Sequence, residues 1–253
     1  MKTKQNLKLN MFNSVQLTLD SNIDIWAGVE KLDHAVAEFK ENNRTLNELK
    51  AKHEEDLAPI IDQKADTRSL LIKAALPVLN IIHAFAYERE DKGTVKQLNY
   101  SKNKLTKSKD LELIEKCKQI LKTGEKLFKK SINDKNEVDL KLKEKPYDIL
   151  RYGLSEKMLS DLDAAEKAFI DAHLKLRDSI DEKKKYGRQI TEVVNLNEKL
   201  LSKKIDLLVS IFESHDFEFY PSFKEARKIQ KVEIQSEEIK DKKKVKKEKQ
   251  ADE

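Results

Sequence analysis

Cysteine is almost missing from this 253-residue chain. The single one, Cys117, excludes an internal disulfide framework and any zinc site built from several cysteines. Glycine and proline are nearly as scarce, at five and four. The glycines stand singly, so no glycine-rich loop is available to cradle phosphates. Few chain breakers, with charged residues at 38% and abundant Lys, Glu, Leu and Ala, favour long helices over sheets. The first twenty residues hold no continuous apolar run, so no signal peptide is expected, and the lone cysteine fits a reduced, cytoplasmic setting.

Catalytic patterns are missing too. A carboxylate-bridged metal site in a helical bundle needs paired Glu-x-x-His units. None of His34, His53, His83, His173 and His215 has a glutamate three residues before it. No serine elbow, Cys-His pairing or zinc motif occurs, and Cys117 falls on an apolar helical stripe where it reads as a small buried hydrophobe. Neither an enzyme nor any cofactor or metal is expected.

Long apolar runs are limited to one. Leu70 to Tyr87 reads LLIKAALPVLNIIHAFAY. A span takes about 20 apolar residues, but Lys73, Asn80 and His83 interrupt this run, so it is read as a core helix rather than a transmembrane segment. Pro77 lies within it and removes one amide donor.

The rest of the chain steps by three and four. Phe12, Val15, Leu19, Ile23, Trp26, Val29, Leu32, Val36, Phe39, Leu46 and Leu49 predict one long helix over 11–53, with a break between Asp20 and Asp24 as an alternative. Asn43 falls on that stripe and reads as a hydrogen-bonded register residue. Pro59 suits a first helical turn, and Gly93 is the expected stop of the second helix. Residues 94–133 predict lysine-rich linking helices, with a new start at Ser108–Asp110. Residues 133–152 read as a loop, with Val138, Leu140 and Leu142 alternating as in a short extended segment. Ser155 is the expected N-cap of a helix marked by Leu159, Leu162, Glu166, Phe169, His173, Leu176 and Ile180. Tyr186-Gly187 is the expected junction with a second helix marked by Ile190 to Phe212, and a short capping helix follows over 217–231. Residues 1–10 are expected to be loose, and 233–253, nearly all charged, a solvated or disordered tail.

The net charge of +5 is concentrated. Residues 1–91 and 146–223 are each net −3, while 92–145 carry 16 lysines against 8 acids. Lys102, Lys104, Lys107, Lys109, Lys116, Lys118, Lys122, Lys126, Lys129 and Lys130 are candidate polyanion contacts. The absence of arginine there and the interleaved acids weigh towards an ordinary solvated face.

Shifting the chain by 130 residues lays 32–81 over 162–211 without a gap. Ten positions match, among them Leu32/Leu162, Phe39/Phe169, Leu71/Leu201 and Lys73/Lys203. This points to an internal duplication of a helical hairpin. Tyr152-Gly153-Leu154-Ser155 before the second copy, Tyr220 and Ala226-Arg227-Lys228-Ile229 after it, and Trp26 after an Asp/Asn-rich break resemble a bacterial family of all-helical proteins. The resemblance spans most of 11–230; it implies the fold and no activity.

The expectation is an all-α antiparallel bundle forming one domain over 11–232. It comprises hairpins over 11–91 and 154–216 joined by the basic helices. The expected function is a non-enzymatic interaction or scaffold module with a protein partner, a second copy included. The alternatives are non-specific polyanion binding through 92–145 and a membrane-associated bundle exposing 70–87.

Overall fold

The computed structural model describes residues 3–136, 148–214 and 218–228. Every regular element among them is helical, as the composition requires. The alternating Val138, Leu140 and Leu142, the loop proline Pro146, His215 and the 233–253 tail lie outside the described residues.

Ten α-helices follow in order: α1 (Thr3–Ser21), α2 (Ile23–Trp26), α3 (Glu30–Glu54), α4 (Ala58–Glu88), α5 (Lys92–Gln97), α6 (Lys102–Lys107), α7 (Asp110–Asn136), α8 (Glu156–Leu200), α9 (Asp206–Val209) and α10 (Phe219–Ala226). A 3-10 turn, Ile149–Tyr152, precedes α8; a π turn, Leu201–Ile205, separates α8 from α9; and a second 3-10 turn, Ser210–Ser214, follows.

The chain divides into two compact units where one domain was expected. The first holds Met1–Glu55 and Glu182–Glu253, the second Asp56–Asp181. Each has its own core. In the first unit Phe12, Val15, Leu19, Trp26, Leu32, Val36, Phe39 and Leu46 pack with Ile190, Val194, Leu201, Ile205, Val209, Phe219 and Phe223. In the second, Leu71, Ala75, Val78, Leu79 and Ile82 pack with Leu98, Leu105, Leu113, Cys117, Ile120, Leu159, Leu162 and Phe169. Fully burying one such large side chain contributes ~1.5–3 kcal/mol, which offsets the ordering of the chain.

The first helical pair begins earlier than expected. Residues 3–10 are helical, not loose, because the apolar stripe of α1 extends back to Leu9, which is 2% exposed. Residues 11–53 are not one helix; the alternative, a break between Asp20 and Asp24, is the one found, with α1 ending at Ser21 and α2 starting at Ile23. The chain turns at Asn22–Val29, so α1 and α3 form the pair. The turn is held by Trp26, whose Nε1 donates to the Leu19 carbonyl at 2.7 Å. Antiparallel register follows from Asn13 and Gln16 facing Asn43, and Asp20 facing Lys40.

The junction expected within the second hairpin is not found. α8 runs unbroken through Tyr186-Gly187 for 45 residues, 156–181 in the second unit and 182–200 in the first. A single interior glycine costs ~1 kcal/mol, too little to end a helix of that length. The basic helices do not link hairpins: Leu98, Leu105, Leu113, Cys117 and Ile120 on and beside α5, α6 and α7 are fully buried against α4 and α8 within the second core. α4 stops at Glu88, before Gly93, and the non-glycine Glu90 takes a left-handed conformation, φ 54°, to reverse the chain. Pro59 does sit in the first turn of α4, and Ser155 does cap α8, accepting from the Met158 amide at 3.3 Å.

One stretch within 30–88 is long and apolar enough to cross a membrane by length and composition, and 39% of its apolar window is buried.

Candidate functional site

On the surface of the first unit lies a groove of about 850 Å³ between α1 and α3. Helical spacing brings Asn13, Gln16, Leu17 and Asp20 to one wall, and Ala37, Lys40, Asn43, Arg44 and Asn47 to the other. Asn43 is 2% exposed. Its Nδ2 donates to Asn13 Oδ1 (3.0 Å) and Gln16 Oε1 (2.7 Å), the register role expected of it. Both hydrogens are thus used, while its Oδ1 is buried with no partner. Two charge pairs in the groove close on themselves, while Glu48 adds one further carboxylate to its lining. Lys40 pairs with Asp20, and Arg44 grips Glu41 through Nε (3.1 Å) and Nη2 (2.7 Å). That hydrogen bond holds the Glu41 carboxyl below its ordinary range. What remains is an amide-lined surface bearing the Glu48 carboxylate, with Leu17 at its rim, 69% exposed. Sequence reading flagged Asn43 alone; Asn13 and Gln16 carried a signal in their i, i+3 spacing on the edge of the α1 stripe.

The ten candidate lysines divide. Lys118, Lys122, Lys126 and Lys129 fall on the side of α7 opposite Leu113, Cys117 and Ile120 and are exposed, which is a solvated outer face. Lys102, Lys109 and Lys130 are also exposed. Lys104, Lys107 and Lys116 line a common groove of about 620 Å³ with Asn99, Tyr100, Asn103, Ser108 and Glu112.

A third groove, of about 850 Å³, is lined by Gln5, His53, Lys184, Gly187, Arg188, Thr191 and Glu192. A Cβ at Gly187 would lie 3.4 Å from His53 Nε2, so the missing side chain admits the imidazole against α8. Burial pushes the His53 pKa down, and the charge of Lys183 adds to the fall. The imidazole is therefore neutral near pH 7.

The titratable groups inside the second unit are structural in their geometry. Asp110, the first residue of α7, is approached by Lys64, Arg68 Nη1 (2.7 Å) and His173 Nδ1 (3.3 Å), joining α4, α7 and α8. Burial acts to raise its pKa. The Lys64 hydrogen bond and the charges of Lys64, Arg68 and His173 outweigh that and hold the carboxyl below the usual range. His83 Nε2 lies 2.8 Å from the Leu98 carbonyl. In the first unit, His34 is exposed beside Glu30. Burial pushes the Cys117 thiol up to about 12, which suppresses the thiolate and any nucleophilic role. Among the described residues no group of three or more His, Cys, Asp or Glu is placed to hold a metal ion. Comparison with protein-family models, with curated proteins and with solved structures finds no match to this chain.

Proposed function

We propose that this protein is a non-enzymatic helical interaction module that docks a protein partner on the groove between α1 and α3. The observation that carries the reading is the groove wall itself: Asn13 and Asn47 present exposed amides beside Leu17, an exposed apolar side chain. Such amides can pair with the N–H and C=O groups of a docked protein segment. Leu17 supplies the apolar contact beside them, and the amide-lined walls favour a partner surface that is itself amide-bearing. Such a docking mode is that of a protein segment laid along a helix pair. α4 is read as the core helix of the second unit rather than a span: Leu71, Ala75, Val78, Leu79 and Ile82 are inside that core, and Lys73, Asn80 and His83 interrupt its apolar run. The setting that fits is the cytoplasm.

The test is in-cell crosslinking of the full chain, followed by identification of the attached protein, with Leu17→Glu as the comparison. Leu17 is exposed, so the charge leaves folding intact, checked by an unchanged melting curve. Loss of the partner in Leu17→Glu supports the reading. The same partner at the same yield in both chains overturns it. A second copy as the attached protein, detected by sedimentation, identifies self-association as the docking event.

A further inference from the structure

We propose that the groove among the α5–α6 loop, α6 and the start of α7 binds a nucleoside phosphate. The phosphoryl group would sit between Lys104 and Lys107, and the base on the side of Tyr100 and the two asparagines. The proposal concerns the second unit and does not depend on the α1–α3 groove.

The lining holds three lysines and one carboxylate, Glu112. Glu112 is already engaged, by Lys116 Nζ at 2.6 Å and by the Lys109 amide at 3.4 Å. Lys116 is further tied to Ser108 Oγ at 2.8 Å and lies 5.4 Å over the Tyr100 ring. Lys104 Nζ reaches a neutral group, the Asn99 carbonyl, at 2.9 Å. Lys107 makes no ion pair or hydrogen bond among the described residues. Two positive charges in a concave polar groove are therefore uncompensated, and such a site attracts an anion.

The groove also offers more than charge. Tyr100 is held in place by its hydroxyl, which donates to Gln119 Oε1 at 2.6 Å. The preceding Leu98 is buried, and its carbonyl is fixed by His83, so the loop bearing Asn99 and Tyr100 is anchored to α4. Ser101 caps α6 by accepting from the Lys104 amide at 3.2 Å, which sets the direction in which Lys104 and Lys107 leave the helix. A fixed aromatic ring, two exposed side-chain amides and two ammonium groups without a carboxylate partner are the chemistry that stacks a base, reads its edge and neutralises its phosphate. Inorganic phosphate would use the lysines alone. The outer face of α7 has lysines and no ring, which is why the site is placed in the groove and not along the whole 92–145 segment.

The experiment is a titration of the isotope-labelled full chain with adenosine monophosphate, inorganic phosphate and adenosine, read by amide chemical shifts. The expected result is saturable shifts at Asn99, Tyr100, Asn103, Lys107 and Ser108 with the nucleotide, and weaker binding of phosphate or adenosine alone. Lys107→Gln should weaken the nucleotide by about tenfold, the usual effect of removing one charge-assisted hydrogen bond. Tyr100→Leu should reduce nucleotide affinity and leave that for phosphate unchanged. A short single-stranded RNA separates a free nucleotide from a strand as the source: saturation at one site per chain in both cases sustains the proposal. Lys126→Gln/Lys129→Gln is the control, since both lie on the outer face. Equal loss in the control and in Lys107→Gln would assign binding to the diffuse lysine surface and defeat the proposal. So would absence of shifts in the groove, or equal affinity for phosphate and nucleotide. Lys107 is exposed, and an unchanged melting temperature confirms that its variant is folded.

Discussion

Two side chains sit where polar groups are expensive. Glu166 on α8 is 8% exposed, and its Oε2 has no hydrogen-bond partner. Burial pushes its carboxyl up; Lys118 and Lys122 pull the other way, while Asp163 and Glu115 reinforce the rise. The folded-state pKa thus exceeds the unfolded value of about 4.3, so the folded protein binds the proton more tightly. Its contribution is fully present below that value and is lost as pH rises through the folded-state pKa. Glu166→Gln should therefore stabilise the protein at neutral pH and have little effect near pH 4, by urea unfolding at both; parallel pH profiles for the two chains would refute this assignment. Asn197 is the sharper case, with no exposed surface and neither amide atom partnered. Replacing it by leucine removes an unmet polar group of ~1–3 kcal/mol, and a higher urea midpoint with unchanged slope is the expected result. Both residues left a trace in the sequence. Glu166 stands on the stripe between Leu162 and Phe169, and Asn197 fills the gap in the stripe between Val194 and Leu200. Periodicity locates such a position; it does not say whether neighbours will satisfy the group placed there.

Among the elements, helix class and several helix starts were legible, at Pro59, Ser108–Asp110 and Ser155, while the chain reversals were not marked by periodicity. The stripe from Phe12 to Leu49 keeps its step of three and four across Asn22–Val29, so nothing in the spacing marks the reversal between α1 and α3. The reversal depends on a tertiary contact, the Trp26 indole on the Leu19 carbonyl, and on Trp26 filling the first core at 1% exposed. The reverse error occurs at Gly187, where a residue that often ends a helix is carried through because its neighbours favour one. α10 shows a third case. It is eight residues long, too short to persist alone. Phe219 and Phe223 anchor it, and Arg227 at its end grips Asp206 through Nε and Nη2, both at 2.8 Å, with Nη1 3.2 Å from Met11 Sδ. Arg227→Ala should accelerate amide exchange across Phe219–Ala226 while α1 and α3 keep wild-type protection. Uniform loss of protection through the first unit would mean that the pair supports the whole core rather than one helix.

For the molecule as a whole, the matched repeat positions do not gather as two hairpins would. Leu32 and Phe39 belong to the first core, and their counterparts Leu162 and Phe169 to the second; Leu71 belongs to the second, and its counterpart Leu201 to the first. Each core thus draws on the leading half of one copy and the trailing half of the other. The boundary at Glu55–Asp56 has a local signature, the charged break between α3 and α4. The boundary at Asp181–Glu182 has none, since it lies inside an uninterrupted helix, and only long-range packing reveals it. A division of this kind gives a direct test. Residues 56–181 form one continuous stretch of chain and carry a full set of buried side chains on α4, α7 and α8, so the excised segment should fold alone, with helical circular dichroism and a cooperative thermal transition. Had the chain been built from a 32–81 hairpin packed on a 162–211 hairpin, the same segment would hold one half of each and no complete core. It would then melt without cooperativity, and that outcome would return the molecule to a single domain.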